Sequence, residues 1–190
     1  LLTLFSLPNL VSANDQEWRF RVFLDNKEIG YHNFFLQQQD KQARLQSEAN
    51  FEYKLLFVKL YDYQHNNTET WLGNCLTGIE SSTDANGEPF SVSGALEGEK
   101  FVLDSTAGDA ELPACSMSFA YWNPAFLQQQ RLINVQSGEV LDIEVSPPES
   151  VELEVRGVKQ PAYRYQLGAG EMKIDLWYSE NQERLALATD

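Results

Sequence analysis

Residues 17–37, EWRFRVFLDNKEIGYHNFFLQ, decide the fold. Trp18, Phe20, Val22 and Leu24 fall on every second position, with Glu17, Arg19 and Arg21 between them. That period puts the apolar set on one face of a strand and the charged set on the other, as in an antiparallel sheet with one dry side. Asp25-Asn26-Lys27 then reverses the chain, because Asp and Asn tolerate the left-handed backbone of a tight hairpin. Glu28-Ile29-Gly30 begins the return strand.

The same period recurs to the end of the chain. Val151, Leu153 and Val155 alternate with Glu152, Glu154 and Arg156. Met172, Ile174, Leu176 and Tyr178 alternate with Lys173, Asp175 and Trp177. Turn chemistry separates the runs at Asp84-Ala85-Asn86-Gly87, Ser137-Gly138, Pro147-Pro148 and Gly168-Ala169-Gly170. The predicted strands are 17–25, 28–37, 42–53, 54–63, 69–80, 88–94, 99–105, 132–136, 139–146, 151–157, 161–167, 171–179 and 183–188. The fold class is therefore all-β, an antiparallel meander of about 12 strands. So long a sheet protects its edges by curling into a barrel or half-barrel. Sheets that wide commonly enclose an interior that side chains do not fill. The four Trp, eight Tyr and eleven Phe either line such an interior or form ordinary core.

One stretch breaks the alternation: PACSMSFAYWNPAFLQQQR, residues 113–131. Asn123 followed by Pro124 has the form of an N-cap with proline at the first helical position, which predicts a short helix near 124–130.

The first thirteen residues, LLTLFSLPNLVSA, read as the end of a cleaved signal peptide, an apolar run closing on the small-residue pattern Val11-Ser12-Ala13. The run is too short to span a bilayer, and no transmembrane segment is expected. Residues 14–190 then form a single all-β domain, exported to the periplasm. The formal net charge of -14, from 14 Lys and Arg against 28 Asp and Glu, opposes binding to nucleic-acid phosphates or anionic lipid surfaces. Cys75 and Cys115 are the only cysteines, and an even pair in an exported chain favours a disulfide. Its alternative is a reactive thiol, but neither cysteine lies in a C-x-x-C or beside a histidine.

Catalytic signatures are sparse. The chain has no G-x-S-x-G, H-E-x-x-H, G-x-G-x-x-G or P-loop, and Ser118 has no base near it in sequence. His32 and His65 fall in different strands and do not read as metal ligands, and His32, in Gly30-Tyr31-His32-Asn33-Phe34, reads as a hydrogen-bonded strand residue. Asp84 to Glu88 lacks the remaining ligands of a calcium loop and reads as a turn. No metal or cofactor is implied. Among the carboxylates, Glu69, near His65 and Trp71, and Asp175, within an aromatic run, are the candidates for an acid–base pair. The simpler reading of each is a solvent-facing strand residue.

Four strings, WRFRVFLDNKEIGYHNF, NCLTGIESSTDANGE, CSMSFAYWNP and IDLWYS, give the chain a resemblance over about 17–188 to a bacterial family of exported proteins catalogued as a domain of unknown function, number 6134 in its series. The resemblance implies export, a bacterial source, an all-β fold and a paired Cys75 and Cys115. It implies no catalytic residue.

Three functional classes follow. The first is a non-enzymatic periplasmic protein that binds a hydrophobic or amphipathic ligand, such as an envelope lipid, in the curled sheet. Phe119, Tyr121, Trp122 and Phe126 would line its mouth or lid, with Trp177 as a further contact. The second is an adaptor that docks an envelope protein partner by strand addition. The third is an enzyme acting on a lipid or polysaccharide, which requires carboxylates, Ser118 or His65 to converge in a cavity.

Overall fold

The computed structural model describes residues 14–55, 58–155 and 157–189. The expected signal remnant, 1–13, and its cleavage site lie outside them.

The alternating run that opens the chain becomes β1 (Asn14–Leu24), paired antiparallel with β2 (Lys27–Gln39). Asp25 and Asn26 take the left-handed turn conformation between them, at φ of 47° and 63°. The meander continues through β3 (Gln42–Leu55), β4 (Val58–Leu72), β5 (Cys75–Ala85), β6 (Glu88–Glu97), β7 (Lys100–Ser105) and β8 (Ala110–Pro113), each strand bonded to its predecessor. Asn86 and Gly87 make the expected β5–β6 turn, and the Asp84 side chain accepts a hydrogen bond from the Gly87 N–H at 2.7 Å.

A second antiparallel sheet holds β9 (Arg131–Ile133), β10 (Val140–Val145), β11 (Glu149–Val155), β12 (Val158–Ala169), β13 (Met172–Tyr178) and β14 (Arg184–Thr189). β10 and β11 both pair with one edge of β12, β10 against 167–169 and β11 against 158–164. They act as one strand interrupted at Pro147-Pro148, where proline has no N–H for the ladder.

Three details depart from the sequence reading. β4 runs unbroken through Gln64–Thr68, the gap expected between strands 54–63 and 69–80, and the chain reverses instead at Gly73 and Asn74. β8 is a short extra strand. The helix expected near 124–130 is a five-residue 3-10 helix, Pro124–Gln128, with Phe126 and Gln129 donating three residues back. Its cap is the expected one: Asn123 Oδ1 accepts from the Ala125 N–H at 3.1 Å.

The sheets face each other across a core in which Ile79, Val92, Phe101 and Leu103 of the first meet Leu167, Ile174 and Leu176 of the second. Burial of each such side chain contributes ~1.5–3 kcal/mol. The 113–131 segment joins the two. Leu76 N–H donates to the Ser116 carbonyl, while Ile133 N–H donates to Met117 and Phe119 N–H to Ile133. The Cys75–Cys115 disulfide ties the start of this segment to the start of β5 across 40 residues, worth ~3–4 kcal/mol by loop entropy. Among the described residues no strand ladder joins the two sheets directly, so the barrel stays open.

Candidate ligand cavity

Strand register places the inward side chains of the first sheet in rows. Phe20, His32, Ala49, His65 and Thr83 share one row, and Phe34, Ser47, Asn67 and Ser81 share the next. The third holds Leu36, Leu45, Glu69 and Ile79. The inner face thus carries polar groups across β2–β4 and at Ser81 and Thr83 of β5, where the rest of β5, with β6 and β7, carries aliphatic and aromatic ones.

β4 supplies the chemistry because its inward positions read Tyr63, His65, Asn67, Glu69, Trp71. Glu69 is 2% exposed. Its Oε1 accepts from Ser118 Oγ at 2.9 Å and Asn67 Nδ2 at 3.2 Å, and its Oε2 accepts from Trp71 Nε1 at 3.1 Å. Burial raises the carboxyl pKa, and the three donors oppose that shift. His65 Nδ1 meets Thr83 Oγ1 at 2.8 Å. Burial lowers its pKa to about 4. His32 is lowered to about 3, by burial first and then by the nearby charges of Arg184 and His65. Both rings are neutral at neutral pH.

A cavity of about 220 Å³ lies over these rows, roofed by Phe119, Tyr121 and Trp122 and closed at one side by Asn134 and Gln136. Its wall is predominantly apolar. Tyr63 OH donates to Gln136 Oε1 at 3.1 Å, and burial raises the phenol's pKa. Desolvation pushes Tyr121 up to about 12. Three polar atoms of lining residues, His32 Nε2, Asn67 Oδ1 and Trp122 Nε1, are buried and meet no protein hydrogen-bond partner. Beyond Phe34 and Trp122, which belong to both spaces, an open groove of about 530 Å³ runs past Trp18, Asn123 and Arg184.

Of the residues singled out in sequence, Phe119, Tyr121 and Trp122 come together on the cavity. Phe126 does not: it is fully buried in the core, with its ring at right angles to Tyr121. Trp177 faces the other side of the second sheet, since Ile174, Leu176 and Tyr178 take the inward positions of β13, and it packs 5.8 Å from the Arg164 guanidinium. Asp175 is on that outer side too, paired with Arg164 at 2.8 Å. Glu69 corrects the solvent-facing expectation, and Ser118 joins it although 49 residues separate them. Ser47, Asn67 and Arg184 went unread. The alternation in β4 held the signal for Asn67, but the inward positions there are polar and so gave no apolar period.

Among the described residues no cluster of three His, Cys, Asp or Glu side chains is arranged to hold a metal. No described helix is long and apolar enough to cross a membrane.

The geometry defines a class, the open, beta-barrel-like antiparallel meander. In the solved structures a beta-barrel-like protein of the domain of unknown function DUF1849 from Brucella abortus has this fold, at a TM-score of 0.60 and 10% identity over 95% of this chain and 92% of that one. The chain itself matches the family described as a domain of unknown function, DUF6134, over residues 20–190, and belongs to it. No curated protein matches it in sequence.

Proposed function

We propose that this is a non-enzymatic periplasmic protein that holds an amphipathic ligand, such as an envelope lipid, between its two sheets. The observation that carries the reading is a mainly apolar cavity with three buried polar atoms lacking protein partners. Ligand sites combine apolar walls with a few placed polar groups in this way, and buried polar atoms otherwise find partners within the fold. The cavity alone is small for a lipid. The adjoining groove falls in the usual range for ligand sites, about 300–1,000 Å³.

Native mass spectrometry of the protein purified from its own periplasm, followed by lipid extraction, tests this. A stoichiometric bound lipid supports the reading, while a clean apo mass overturns it and favours the adaptor. Trp122 separates the cavity from the groove, so Trp122→Ala should weaken lipid binding at least tenfold while the unfolding midpoint stays near wild type. Equal loss of both would make Trp122 a core residue.

Hydrolysis is favoured by one contact, Ser118 to Glu69. That serine is fully buried and donates to a carboxylate already bonded to Asn67 and Trp71, so it reads as a strut. Ester hydrolysis abolished by Ser118→Ala in a folded protein would restore the enzymatic reading.

A further inference from the structure

Arg184 opens β14, opposite Tyr178 of β13 at a register shift, and its side chain crosses to the first sheet. The guanidinium carbon lies 4.1 Å from the Phe20 ring centroid, 4.5 Å from that of Phe34 and 5.6 Å from that of Tyr121. Cation–π contacts of this kind contribute ~0.5–2 kcal/mol each. They use the cation's charge and consume none of its five N–H donors.

Those donors are the unexplained part. Four other arginines meet acids: Arg19 meets Glu17, Arg21 meets Glu28, Arg131 meets Asp142, and Arg164 meets Glu149 and Asp175, while Arg44 meets none among the described residues but is exposed. Arg184, the most enclosed of these, has no carboxylate within 4.0 Å and no side-chain hydrogen bond among the described residues. Burial lowers its pKa to about 10, yet it remains cationic at neutral pH. Arg184 is half-buried and its donors are not sealed off, so an incoming anion can reach them, and a cation partly withdrawn from water gains from such a partner. The guanidinium lines the groove and stands beside Phe34, which also walls the cavity. The acidic groups on the groove, Asp40 and Glu183, lie outside ion-pair distance of it.

We propose that Arg184 anchors the anionic head, carboxylate or phosphate, of a single-chain amphiphile whose apolar body runs along the groove toward the cavity. The planar fork suits either oxyanion, taking two oxygens at once. This rests on the amphipathic-ligand reading and gives the ligand's charge.

Trp18 and Trp122 on the groove provide the readout, quenching of intrinsic fluorescence. The wild-type protein is titrated below the micelle threshold with dodecanoate, dodecyl phosphate, dodecanol and inorganic phosphate. The expected result is that dodecanoate or dodecyl phosphate binds at least tenfold tighter than dodecanol. Arg184→Gln should erase that preference and Arg184→Lys should keep part of it. Equal binding of acid and alcohol to wild type overturns the anchor but leaves the amphiphile reading standing. Binding of none of the three dodecyl probes overturns the amphiphile reading itself. Binding of inorganic phosphate as tight as that of dodecyl phosphate makes the site one for a free anion and overturns the single-chain ligand. Because the acid-to-alcohol comparison uses wild type alone, it stands even if Arg184→Gln fails to fold.

Discussion

Two halves of one sheet, built by the same hairpins on the same alternation, enclose opposite interiors. From β5 through β7 the inward residues include Ile79, Val92, Phe101 and Leu103, and they pack dry against the second sheet. Across β2–β4 the inward residues include His32, Ser47, His65, Asn67 and Glu69, and they face a cavity. Backbone pairing is satisfied equally in both. The period of the sequence therefore specifies the architecture, and the identity of the inward residues specifies what the interior is for.

The largest effect that separates the halves is acid sensitivity. His32 and His65 hold pKa values of about 3 and about 4 in the folded protein, against 6.5 in the unfolded chain. The unfolded state thus binds protons that the folded state refuses once the pH falls below 6.5. Stability from this source is full above pH 6.5 and is lost as pH falls toward 4 and then 3, at ~1.4 kcal/mol per pH unit per histidine. Urea unfolding from pH 7.5 to 4 should show a steep loss, and His65→Gln should flatten it. An unchanged slope in that variant would mean His65 is solvated. Substitutions of the apolar residues in the dry half remove no titrating group, so they should shift the curve without changing its slope.

Phe101 is the converse probe. It is fully buried, and its ring lies where a Cβ on Gly94 would come within 2.7 Å. Phe101→Ala should cost about 3–5 kcal/mol, the usual loss for a large buried aromatic. The loss should be the same at pH 5 and pH 7.5. A pH-dependent loss would show that the cavity and the dry core are coupled, and the contrast between the halves would fail.

The contrast also explains what the sequence made legible. Where inward residues are apolar, as in Trp18-x-Phe20-x-Val22 or Ile174-x-Leu176-x-Tyr178, strands are legible to within about three residues at each end. In β4 the period disappears at His65, Asn67 and Glu69, and the chain reads as broken just where it carries the site. The Gly73-Asn74 turn is masked for the same reason: once the period is lost at 64–68, the predicted strand 69–80 runs straight across it. The 113–131 roof announced itself by its aromatics, and Phe119, Tyr121 and Trp122 do line the cavity. Phe126 and Trp177 could not be told from them, because which way a side chain points is fixed by the 3-10 turn and by the pleat. Arg184 carried no signal because its cage joins Phe20 and Phe34 of the β1–β2 hairpin to Tyr121 of the 113–131 segment, both far from it in the chain.

Glu69 gives the smallest and most discriminating test. Its folded carboxyl keeps its proton above the pH at which the unfolded one gives it up, the reverse of the histidines. Stability from this group is present below the unfolded pKa and is lost as pH rises through the folded one. A glutamine in its place has no proton to lose. With its oxygen in the place of Oε1 it still accepts from Asn67 and Ser118, while its amide nitrogen faces Trp71 Nε1 and leaves that one donor unpaired. Glu69→Gln should therefore fall about 1 kcal/mol below wild type at pH 4, for the one lost bond, and close or reverse that gap by pH 8 as the wild-type carboxyl ionises. Glu69→Leu leaves three donors unpaired and should lose stability at both. If the gap instead widens at pH 8, the ionised carboxylate is needed there. A cation or a proton-transfer partner must then reach it through the cavity, and the wet half would be a reaction chamber and not a binding site.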